Sequence, residues 1–147
     1  MTEPQADSHY RALIEALNQL DEAAEPGRGD EASRLRRIQS AAQTTQDVLE
    51  EHQLLAEDQG GFIEEATGQK PALIPESERL KRQHAEMLHR ANELRREVDL
   101  QFAFDEFDVE LLRLETVVLR DILRAHLRRA DSMLYEAYFR VEGGEGG

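Results

Sequence analysis

Apolar residues recur at steps of three and four along most of the chain, and no strand-like alternation of useful length occurs. Four segments carry this helical period, separated by three breaks. The first runs from about Asp7 to Ala24, with Tyr10, Leu13, Ile14, Leu17 and Leu20 on one stripe. Pro26, Gly27 and Gly29 end it, and Asp30 is placed to cap the next helix. The second runs from about Glu31 to Asp58 along Leu35, Ile38, Ala42, Thr45, Leu49, His52 and Ala56. Gly60 and Gly61 stop it. A loop or short irregular helix with Pro71 and Pro75 follows, whose Phe62, Ile63, Leu73 and Ile74 are expected to cover one end of the core.

The third helix starts near Glu76 and reaches about Val98, with Leu80, His84, Met87, Leu88, Ala91 and Leu94 on its stripe. A connector with Phe102, Phe104 and Phe107 is expected to pack beneath the helix ends. The fourth helix runs from about Asp108 to Arg140. These elements predict an all-α fold, a four-helix up-down-up-down bundle over residues 7–141. Residues 1–6 and the Gly-rich tail 142–147 are expected to be disordered.

Composition narrows the chemistry. There is no cysteine among the 147 residues, which excludes disulfides, thiolate metal sites and cysteine nucleophiles. The formal net charge of −13 disfavours nucleic acid and anionic membrane as partners. The arginine clusters at 34–37, 95–96 and 124–129 sit among acids at helical spacing and read as ion-paired faces. No apolar run approaches the ~20 residues that cross a bilayer. The N-terminus lacks the basic and apolar regions of a signal peptide, so a cytoplasmic location is expected.

Of the five histidines, His9, His52, His84 and His126 fall one per helix and each continues its apolar stripe. In an antiparallel bundle all four belong to the same end, because His9 and His84 lie near helix starts and His52 and His126 lie late in theirs. Glu57 and Asp131 each follow a histidine by five positions, about 140° around a helix. Facing imidazoles and carboxylates are how bundles hold two irons or manganeses. A single histidine on an apolar stripe is more often a boundary residue than a ligand, and four in one layer tilt the balance towards metal. His89 lies 140° from His84 and is expected to face solvent, and Met87 to fill core.

Several blocks resemble the hemerythrin-like (HHE cation-binding) domains. "LEEHQLLAEDQGGFIEEA", "PALIPESERLKRQHAEML" and "LRDILRAHLRRADSMLYEAY" look like three of that family's helical blocks, the last with His-x-x-x-x-Asp spacing. The ending "LYEAYFRVEGGEGG" is similar to tails of bacterial members. The resemblance implies a four-helix bundle with a non-haem di-iron centre. That centre would serve oxygen or nitric oxide binding and sensing, or iron and redox handling. Carried over, His9, His52, His84 and His126 would be ligands, and Glu57 and Asp131 bridging carboxylates. The chain departs from the family pattern at Ala56, where the second-helix acid usually stands. It departs again at Leu88, in place of a histidine, and at Gln83, in place of an acid. A full di-iron set, a single metal, and a metal-free bundle serving as a protein-interaction module are therefore the outcomes to separate. No catalytic residues are assigned.

Overall fold

The computed structural model describes residues 3–27, 29–57 and 61–134, with side chains described for all of these except 3–7, 62 and 130–134. All regular structure among them is helical: α1 (Glu3–Ala23), α2 (Glu31–Glu57), α3 (Phe62–Gln69), α4 (Ile74–Phe104) and α5 (Val109–Leu134). A single 3-10 turn at Pro71–Leu73 leads into α4, and Pro75 occupies its first turn, where a missing N–H costs nothing. No described helix is long and apolar enough to cross a membrane.

The four long helices pack on one another. Helix α2 lies against α1 and α4, and α5 completes the set against the same two helices. One cluster of buried side chains runs between them, drawing Leu13 and Leu20 from α1, Leu35, Ile38 and Leu49 from α2, Met87 and Leu94 from α4, and Leu112, Leu119 and Leu123 from α5. Each such side chain contributes about 1.5–3 kcal/mol on burial, so this cluster drives the assembly of helices whose outer faces are polar.

Local signals fix the ends. The Asp30 carboxylate accepts from Ser33 N–H at 2.8 Å, capping α2, and Asp108 does the same for α5 through Leu111 N–H at 3.1 Å. Asp105 terminates α4 in the left-handed region, at φ 53°. Gly61 is demanded by contact: a Cβ there would lie 2.5 Å from the Leu55 carbonyl oxygen. The close approach turns α3 back onto the end of α2, with Ile63 and Ala66 buried.

Several expectations change. Helix α1 starts at Glu3, four residues before the expected Asp7. The segment after Gly61 is a regular helix for eight residues, not an irregular loop. Helix α4 continues six residues past Val98 to Phe104, because Leu94, Val98 and Phe102 extend its inward stripe in steps of four. Phe102 packs edge-to-face on Phe107 at 5.4 Å and carries the Arg36 guanidinium on its face at 4.7 Å. Phe104 is 72% exposed, since the helix turns it away from that cluster. Tyr10 and Ile74 also lie on the surface, one on the outer flank of α1 and one in the first turn of α4. The expected stretch of the last helix beyond Leu134, and the tail, lie outside the described residues.

The arginines are spent on neighbouring helices. Arg120 pairs with Asp21 across α5 and α1 at 3.1 Å, Arg113 donates to the Ala24 carbonyl, and Arg95 donates to Gln43 on α2. The exposed Arg120–Asp21 pair sets helix register more than it adds stability.

A buried four-histidine cluster

His9, His52, His84 and His126 meet inside the protein, one from each long helix. Each is buried because it occupies a stripe position that leucines hold elsewhere on the same helix. His52 follows Leu49 by three, His84 follows Leu80 by four and His126 follows Leu123 by three, so the helical period aims all of them inward.

The rings form a connected set. His9 lies parallel to His52 with centroids 4.7 Å apart, and its Nε2 is 2.5 Å from His52 Nδ1. His52, His84 and His126 meet edge-on, with centroid separations of 4.5, 4.7 and 5.3 Å. Their ring nitrogens converge: His126 Nε2 stands 3.2 Å from His52 Nε2 and 3.1 Å from His84 Nε2. One donor atom from each of the three lies within 4.8 Å of the other two, a grouping that can hold a metal ion.

The opposite side of each ring is also engaged. His84 Nδ1–H donates to Glu57 Oε2 at 2.7 Å, and His126 Nδ1–H donates to Gln83 Oε1 at 3.0 Å. His52 Nδ1 faces His9. Such outer partners fix tautomer and ring orientation, the usual surroundings of a metal-binding histidine. His9 Nδ1 is buried with no hydrogen-bond partner.

Burial sets the charge state. It depresses His84 to about 4, aided by the nearby His9, and His126 to about 3, aided by His84 and Arg129. His52 falls well below the ordinary histidine range, through burial first and then the charges of His84, His126 and His9. His9 is lowered by burial, with Glu51 opposing. Near neutral pH these rings are uncharged and available as nitrogen donors.

The structure thus brings together four of the six residues singled out as ligands and places a fifth, Glu57, on the far nitrogen of His84. The sixth, Asp131, belongs to α5, and its side chain lies outside the described residues. By the family pattern alone, Gln83 stands only as a replacement for an acid. Its role on His126 follows from its place beside His84, one step round α4 and so towards α5. His89 is exposed, as its angle from His84 implies, and lines a surface groove of about 410 Å³ with Glu86, Arg90, Glu93 and Glu115.

No family model matches this chain, and no match is found among curated proteins or solved structures. The likeness to hemerythrin-like domains therefore stands on the residue blocks alone.

Proposed function

We propose that the four long helices form an up-down-up-down bundle whose buried histidines bind a metal ion. One observation carries the reading: the Nε2 atoms of His84 and His126 face each other at 3.1 Å while both Nδ1 atoms are committed to oxygen acceptors. In a neutral ring the single hydrogen then sits on Nδ1, and Nε2 keeps its lone pair. Two lone pairs that close repel, and a cation between them converts the repulsion into coordination.

By the hemerythrin-like resemblance the metal is non-haem iron, and the ligand a small diatomic molecule, dioxygen or nitric oxide. An iron with an open coordination position supplies reversible binding or sensing of such a molecule. The chain supplies a buried position and oriented imidazoles. Leu49, Leu80 and Leu123, about one turn from His52, His84 and His126, are buried and limit access of water.

The test is metal content per chain after expression with iron and anaerobic purification, followed by an absorption spectrum on admitting air. Bound iron and a new band in air are expected. A folded chain without metal, whose melting temperature ignores chelators, supports the second reading, a metal-free interaction module. Leu111, Leu114 and Val118 favour that alternative, because they form an exposed apolar strip on α5, at 47%, 50% and 42% exposure.

A further inference from the structure

We infer that the centre takes one divalent ion, on Nε2 of His52, His84 and His126, and that His9, Glu57 and Gln83 form an outer ring orienting those ligands. This rests on the metal-binding reading and goes beyond it, by fixing ion number, charge class and the role of each residue.

Spacing gives the number. Zinc–imidazole bonds of about 2.0–2.1 Å place two ligand nitrogens about 3.3 Å apart in a tetrahedron and about 2.9 Å apart at a right angle. The separations from His126 Nε2, 3.2 and 3.1 Å, fall between those values. Two ions stand about 3.5–4 Å apart in dinuclear sites and need donors on both sides. Among the described residues a single group of three donors converges.

The outer atoms give the roles. His84 and His126 each spend Nδ1–H on an oxygen, which leaves Nε2 as the donor. His52 completes the pattern if its Nδ1–H is given to His9 Nε2. His9 then accepts, its remaining hydrogen sits on Nδ1, and that atom is the one found buried without a partner. One tautomer assignment therefore accounts for all three contacts, and it leaves His9 Nδ1–H as a buried donor without an acceptor. In this assignment His9 is a positioning residue, with its Nε2 used up on His52.

Charge gives the class. Three neutral imidazoles bring no compensating charge, and Glu57 brings one negative charge through His84. A divalent ion leaves about +1 at this buried site and a trivalent ion about +2, at a much greater desolvation cost. Imidazole nitrogens suit zinc, iron(II), copper and nickel.

The full chain, stripped with chelator, is titrated with Zn²⁺ and with Co²⁺ by calorimetry, and the ¹⁵N-labelled Zn²⁺ form is read by imidazole NMR. One ion per chain is expected, with zinc on Nε2 of three rings and none on His9. His9→Gln and Gln83→Ala should keep one ion and weaken binding about 10–100-fold. His126→Ala should weaken it well beyond that range. Two ions per chain, or a metallated His9 in the wild-type spectrum, would overturn the inference while leaving metal binding intact. A folded wild-type chain that takes up no zinc, cobalt or iron overturns the metal-binding reading as well.

Discussion

The two halves of the same four helices treat buried polar groups in opposite ways. In the half built from Leu20, Leu35, Leu94, Val98 and Leu112 the core is aliphatic. The buried hydroxyls of Thr116 and Thr45 each bond back to the carbonyl one turn earlier, at 2.7 and 2.8 Å. Those bonds stay within one helix and ask nothing of a neighbour. About 20 Å away along the helices, four imidazoles are buried and find partners across helices. The aliphatic half would be served by many sequences of similar size and shape. The histidine half depends on particular atoms, is costly to desolvate, and still leaves His9 Nδ1 without a partner. A segment that sacrifices stability for geometry is where function is expected.

Acid should separate the halves most strongly. Folded pKa values below the unfolded value of about 6.5 mean that the unfolded chain takes up protons first. The contribution is fully present above pH 6.5 and lost as pH falls towards about 4 for His84 and about 3 for His126. By pH 5, metal-free protein should lose on the order of 2 kcal/mol from each. Urea unfolding at pH 7 and at pH 5 measures this. The pH 5 loss should shrink in His84→Leu, which removes the titrating group and keeps the volume. A loss of the same size in that variant would mean that the cluster does not govern the acid response.

Truncation in the aliphatic half comes next. Leu94→Ala removes a fully enclosed side chain and should cost about 2–5 kcal/mol, equally at pH 7 and pH 5. Its metal affinity should stay within about threefold of wild type, because sites this far apart with no shared partner act independently. A large change in metal affinity would show that the halves are coupled through packing.

What the sequence disclosed follows the same division. The aliphatic half was readable because a period of three and four residues is enough to say which side chains go inside. Leu20, Leu35, Leu94, Val98 and Leu119 are all buried. Helix ends were less readable where an inward stripe ran through an aromatic cluster: Phe102 looked like connector and continues α4. The inward set of histidines was legible from the same stripe. Which nitrogen faces which partner was not, because that depends on ring rotation and on cross-helix distances that periodicity does not encode. Hence Glu57, five positions after His52, sits on His84 instead, from the neighbouring helix.

The smallest expected effect tests the comparison within one helix. His84 and His89 are five residues apart on α4, one buried among imidazoles and one on the surface beside Glu86 and Arg90. His89→Ala removes no core contact, so stability should change by less than about 0.5 kcal/mol. Metal affinity and ion number should match wild type, since about 140° of helix separates the two rings. His84→Ala leaves the Glu57 carboxylate without its imidazole partner and removes a converging donor, so it should lose both stability and metal. Measured side by side, the pair asks whether burial on the stripe, and not the presence of histidine on α4, defines the centre. Equal losses from both variants would mean that the surface groove around His89 takes part in holding the ion, and the inner set would have to be redrawn.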